Sequence, residues 1–114
     1  MDSQVHELLE EILRFRDERD WTQFHTPRNL ATSISIEAAE LLELFQWQIS
    51  DKEFDPRKAD MASEEIADIF IYLILISNKL GIDLIEAAKI KIEKNRKKYP
   101  IDKVKGRATK YSEL

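Results

Sequence analysis

Two glycines and three prolines are the only strong chain breakers in 114 residues, and that scarcity leaves room for long helices joined by few turns. Residues 3–20 place Val5, Leu8, Leu9, Ile12, Leu13 and Phe15 mostly at i, i+3, i+4 spacing, one apolar stripe of a first helix. Residues 21–25 break the stripe. Thr26 is a good N-cap and Pro27 suits the first helical position, so a second helix is predicted from there to about Gln48. Residues 50–58 are polar, contain Pro56 and read as a loop. A third helix is predicted over residues 60–80, stopped by Gly81. Its middle, Ile69 to Ile76, is apolar all round. No second strand-like run exists to pair with it, so it reads as a central helix buried on most sides. Asp83 and Glu86 form a capping-box pattern for a fourth helix that reaches Tyr99 and ends at Pro100. The expected fold is all-α, a four-helix bundle in one domain over residues 1–114, with an irregular basic tail at 101–114.

Charge is unevenly placed. Residues 1–88 hold 19 Asp/Glu against 8 Lys/Arg, whereas residues 89–114 hold 3 against 10. An acidic body with a basic end suits a divalent cation plus a polyanionic ligand, and equally a solvated basic tail. With no cysteine in the chain, disulfides and thiolate metal sites are excluded. The first residues show neither a basic n-region nor an apolar h-region, and no apolar run approaches the ~20 residues of a membrane span. The expectation is a soluble, cytoplasmic protein with no membrane partner. A nucleic-acid partner is not expected either, because the basic end carries no recognisable reading motif.

Glu37 and Glu40 stand three apart on the second helix, and Glu65 and Asp68 three apart on the third. Each pair therefore shares a helix face, among apolar neighbours such as Ile36, Ala38, Ile66 and Ile69. Four carboxylates cannot all be sheltered and charged without a counter-charge, since desolvating each costs several kcal/mol. A hard, oxygen-seeking cation, Mg²⁺ or Mn²⁺, resolves the conflict; four solvated surface acids are the alternative. A di-iron centre would need Glu-x-x-His on two helices, and neither His6 nor His25 has Glu three residues before it.

The set Glu37-x-x-Glu40 followed by Glu64-Glu65-x-x-Asp68 resembles the metal motif of the MazG-like, all-α nucleoside triphosphate pyrophosphohydrolases. The segments 20–30 (DWTQFHTPRNL), 43–47 (ELFQW), 71–73 (IYL), 95–100 (NRKKYP) and 110–111 (KY) resemble the dCTP pyrophosphatase branch. The loop at 50–58 is shorter than in the animal members. The resemblance covers nearly the whole chain. It implies hydrolysis of a nucleoside triphosphate to the monophosphate and pyrophosphate, with dCTP or a modified dCTP as substrate and nucleotide-pool cleaning as the role.

Carried over residue by residue, the resemblance implies Glu37, Glu40, Glu65 and Asp68 as catalytic metal ligands for Mg²⁺, with Mn²⁺ as a substitute. It implies Trp21, His25, Trp47, Tyr72 and Asn95 as the nucleoside pocket. Rings can stack on a base and an Asn amide can read its edge. Lys91, one turn before Asn95, is a phosphate candidate. The resemblance also implies a homo-oligomer, a tetramer built as a dimer of dimers. A broad-range pyrophosphohydrolase and a non-catalytic nucleotide-binding helical module are the rival readings.

Overall fold

The computed structural model describes residues 3–48 and 55–114. Among these the chain is all-α. The helices are α1 (Ser3–Glu18), α2 (Pro27–Glu43), α3 (Ala59–Lys79), α4 (Leu84–Lys98) and a short α5 (Ile101–Val104). Single 3₁₀ turns lie at Thr22–Phe24, Pro56–Lys58 and Tyr111–Glu113. Most of the loop expected at 50–58 lies outside the described residues. Its last part is the Pro56–Lys58 turn, capped by the Asp55 carboxylate accepting from the Arg57 amide at 2.9 Å.

Local chemistry explains most helix ends. The Thr26 hydroxyl accepts from the Asn29 amide at 3.1 Å and Pro27 occupies the first helical position, so α2 starts where its orphan donors are satisfied. At the end of α3, Gly81 takes φ +69°. The Gly81 amide then donates to the Asn78 carbonyl at 3.2 Å and the Ile82 amide to the Ser77 carbonyl at 2.8 Å, a Schellman pair. Asp83 starts α4 by accepting from the Glu86 amide at 3.2 Å.

Two helix ends differ from the sequence-based expectation. α1 stops at Glu18 because Asp20, not a glycine, adopts the left-handed region at φ 55°. The Asp20 amide donates to the Asp17 carbonyl at 3.1 Å and the Trp21 amide to the Arg16 carbonyl at 3.1 Å, the same closing pattern. α2 stops at Glu43, not near Gln48, since residues 44–47 tighten into i→i−3 turns, with the Phe45 amide on the Leu42 carbonyl at 2.9 Å.

The chain gathers into two compact units, one up to Ile82 and one from Asp83 to Leu114. In the first, α3 packs chiefly on α2 and less extensively on α1. Lys58 Nζ donates to the Leu44 carbonyl at 3.0 Å, tying the start of α3 to the end of α2. Leu9, Ile12, Leu30, Ile74 and Leu75 form the buried apolar core, with Ser77 the buried polar residue. The burial on most sides expected of the Ile69–Ile76 stretch is met except at Phe70, and the turns of α3 before it are more open. Ile66 and Phe70 are exposed, because α1 and α2 cover only part of its circumference.

In the second unit the tail is more ordered than its sequence suggests. Past Pro100 the chain forms α5, and Tyr111 returns to Tyr99 edge-to-face at 6.3 Å, with Lys98 Nζ 4.8 Å from the Tyr111 ring centre.

Leu30 is only 2% exposed. Leu30→Ala should lower unfolding free energy by ~2–5 kcal/mol in urea denaturation, the cost of an unfilled core cavity. A loss below ~1 kcal/mol would show that the α2 core contact is not a main stabiliser.

Candidate active site

The acidic side chains meet across α2 and α3. Oxygens of Glu37, Glu65 and Asp68 all lie within 4.8 Å of one another, an arrangement able to hold a metal ion. Moving seven residues back along α2 from Leu44 reaches Glu37, and seven forward along α3 from Lys58 reaches Glu65. The helices therefore run antiparallel, and their acidic turns oppose each other. Glu40 lies outside the tightest trio, yet its carboxylate acts on both Glu37 and Glu65.

The electrostatics of the cluster are those of an unmet need. Glu37 Oε2 and Glu65 Oε2 are shut off from solvent and have no hydrogen-bond donor among the described residues. The facing Glu65 carboxyl, desolvation, and the neighbouring Glu40 and Asp68 carboxylates push the Glu37 carboxyl up to about 7. Glu65 is also held above the ordinary carboxylate range. Its hydrogen bond with Glu37 pulls it down, but desolvation and the charges of Glu40 and Asp68 outweigh that. Either a proton or a cation relieves this repulsion, and an all-oxygen donor set fits a hard divalent ion.

Asp68 also borders a cavity of about 460 Å³. Trp21, His25 and Tyr72 line it, so three of the residues expected to form a nucleoside pocket come together with one of the expected metal ligands. The left-handed turn at Asp20 folds Trp21 back on Phe15, ring centres 5.7 Å apart and edge-to-face. His25 follows the 3₁₀ turn, its Nδ1 enclosed and without a partner among the described residues. Burial, then the positive charges of Arg16 and Lys79, hold its pKa below the ordinary imidazole range, so the ring is neutral near pH 7.

Trp47 does not reach this cavity. It sits in the turn after α2, 85% exposed, toward the Lys58 end of the α2–α3 pair rather than the carboxylates. A slot between Trp47 and Tyr72 is therefore not formed within the chain. Lys91 and Asn95 lie one turn apart on α4 in the carboxyl-terminal unit. Sequence reasoning missed Arg16 and Glu11, which also line the cavity. The available signal was Arg16 at i+4 from Ile12, a charge on the apolar stripe of α1.

Comparison with known proteins gives the family and the fold. The sequence pattern of the MazG-like family matches residues 32–114, spanning parts of both units. Bovine dCTP pyrophosphatase 1 is 40% identical over 114 residues, covering 93% of this chain and 68% of the bovine protein. The mouse protein of the same name is 41% identical over 115 residues, with 93% and 67% covered. The crystal structure of a pyrophosphatase from Archaeoglobus fulgidus superposes with a TM-score of 0.83 at 48% identity, covering 88% of this chain and 95% of that one.

The raised Glu37 carboxyl sets a pH dependence. The native state keeps a proton that the unfolded state gives up near pH 4.5, so this group's contribution is full below that value and is lost as pH rises through about 7. Urea unfolding of the metal-free protein should therefore show stability falling between pH 5 and 8, with a flatter profile in Glu37→Gln. Identical profiles for the two proteins would contradict a raised Glu37 carboxyl.

Proposed function

This chain belongs to the MazG-like family, and we propose that it is a metal-dependent nucleoside triphosphate pyrophosphohydrolase that converts dCTP, or a 5-substituted dCTP, to the monophosphate and pyrophosphate. Water adds at phosphorus and the bridge between the α- and β-phosphates breaks, which removes unwanted deoxynucleotides from the pool. The observation that carries the reading is Asp68. It belongs at once to the oxygen cluster of α2 and α3 and to the aromatic cavity. A triphosphate with its charge at the carboxylates would have its base among the rings.

Glu37, Glu40, Glu65 and Asp68 would hold the cation, Mg²⁺ in the proposal and Mn²⁺ as a substitute. When bound, it supplies Lewis-acid polarisation of the phosphate and an attacking water of lowered pKa. The chain's own residues bind and orient. Trp21 and Tyr72 offer flat faces for the base, and neutral His25 offers a hydrogen bond to its edge. Phe15 packs edge-to-face on Trp21 and holds that ring in place. Trp47 is a further stacking candidate, Lys91 a phosphate ligand and Asn95 a second polar contact to the base, each in this proposal supplied from outside the cavity wall described above.

The proposal includes a homotetramer built as a dimer of dimers, in the cytoplasm, with no nucleic-acid or membrane partner. No helix among the described residues is long and apolar enough to cross a membrane. Support for assembly comes from apolar side chains left exposed on α2 and α3, among them Leu42 at 68% and Ile66 at 55%. Light scattering at assay concentration should report more than one chain per particle; an active monomer would contradict the assembly.

For the chemistry, pyrophosphate rather than orthophosphate should appear, and only with Mg²⁺ or Mn²⁺. Glu40→Gln and Asp68→Asn should each lower kcat at least ~100-fold, the scale of losing a key electrostatic group. Near-normal turnover in both would reject the four-acid site. Comparing kcat/KM for dCTP, dTTP, dUTP, dATP and dGTP at one Mg²⁺ concentration should place dCTP first. Five equal values would favour a broad-range enzyme instead.

A further inference from the structure

The cavity beside Asp68 contains two charged side chains that stacking on aromatic rings does not use, Glu11 and Arg16 of α1. Arg16 is largely shielded, its side chain 16% exposed. Asp17 holds one side of its guanidinium: Nε donates to Asp17 Oδ1 at 2.9 Å, and Nη2 lies 2.8 Å from the same oxygen. The Thr22 hydroxyl also donates to that oxygen, at 2.9 Å, which ties the clamp to the turn carrying Trp21 and His25. Among the described residues Nη1 has no hydrogen-bond partner.

Arg16 belongs to the aromatic end of the cavity. Its carbonyl accepts from the Trp21 amide at 3.1 Å, and its charge acts on His25. A planar base held among these rings would meet a donor-only guanidinium and an acceptor-only carboxylate. Cytosine presents a matching edge, an exocyclic amino donor at C4 beside the acceptors N3 and O2. Thymine and uracil reverse the first two positions, with a carbonyl at C4 and an N–H at N3.

We propose that Arg16 and Glu11 are specificity-determining residues: Arg16 donates to the N3/O2 edge of a cytosine ring and Glu11 accepts from its C4 amino group. The proposal rests on the nucleotide-hydrolase reading. It adds a reason for base choice that stacking alone cannot give, since every base has two flat faces.

The test compares wild type, Arg16→Gln, Arg16→Lys and Glu11→Gln by kcat/KM for dCTP and dTTP with Mg²⁺. Calorimetric binding of dCMP and dTMP without metal serves as a second readout. Arg16→Gln should lower kcat/KM for dCTP roughly 5- to 150-fold, the range for a buried polar group left unpaired, and dTTP far less. Glu11→Gln should narrow the dCTP/dTTP ratio, because an amide can also donate to the C4 carbonyl of thymine. Arg16→Lys, keeping the charge without the fork, should restore part of the dCTP rate. The dCMP/dTMP affinity ratio should narrow in parallel. Equal falls for both bases would mean a structural or phosphate-binding role and would overturn the assignment. A wild type without cytosine preference in either readout would overturn it together with the dCTP reading. A wild type that binds dCMP over dTMP through Arg16 yet releases no pyrophosphate would keep the assignment and reject the hydrolase.

Discussion

Like-charge repulsion between carboxylates on two packed helices is the constraint around which the amino-terminal unit is arranged. Glu37 and Glu65 face each other at close range with Asp68 beside them and Glu40 acting on both. A stable fold would ordinarily separate such groups or give each a cationic partner. Here the α2–α3 contact is the most extensive in the unit, and Lys58 fastens the far end of the helix pair instead of neutralising the cluster. The packing of Leu30, Ile74 and Leu75 holds the helices together. That leaves a site of mutually repelling carboxylates whose donor atoms suit a hard cation.

The second element of the site depends on a short stretch of unusual backbone. Asp20 in a left-handed conformation ends α1 and turns the chain so that Trp21 and His25, on either side of the 3₁₀ turn, line a cavity reaching Asp68. Asp tolerates this conformation better than most residues because its side chain bonds locally, and Gln23 Nε2 lies 3.3 Å from Asp20 Oδ2. Aromatic walls and acidic cluster are thus set by two independent devices, a helix-terminating turn and a helix–helix contact, that meet at one residue.

What was legible in the sequence follows from how local the determining physics is. Thr26 with Pro27, Gly81 and Asp83 mark helix ends because the cap bonds are made within a few residues. The pairs at 37/40 and 65/68 were legible because helical spacing places each on one face, and an antiparallel neighbour then opposes them. Asp20 was not, since nothing in its identity separates a helix-ending aspartate from a helical one. The early end of α2 was also hidden, because apolar Leu44 and Phe45 continue the periodic pattern while the backbone has already tightened into 3₁₀ turns. Trp47 and the exposed face of α3 show the limit of reading one chain. An apolar residue announces that it needs cover, not which surface provides it. Arg16 escaped notice because a charge on an apolar stripe reads as an interruption until the cavity beside it is seen.

The central claim is that the α2–α3 carboxylates form a divalent-cation site whose occupancy relieves their repulsion. The most direct measurement is the melting temperature of the metal-free protein at pH 8, above the raised Glu37 carboxyl, with and without saturating Mg²⁺ or Mn²⁺. Binding to the native state alone stabilises by RT ln(1 + [L]/Kd), about 2.7 kcal/mol at a hundredfold excess over Kd. The cation should raise the melting temperature of wild type by several degrees and that of Asp68→Asn little or not at all, and Asp68→Asn should itself melt higher than wild type in the absence of metal. Equal melting temperatures of wild type with and without the cation would contradict the cation site.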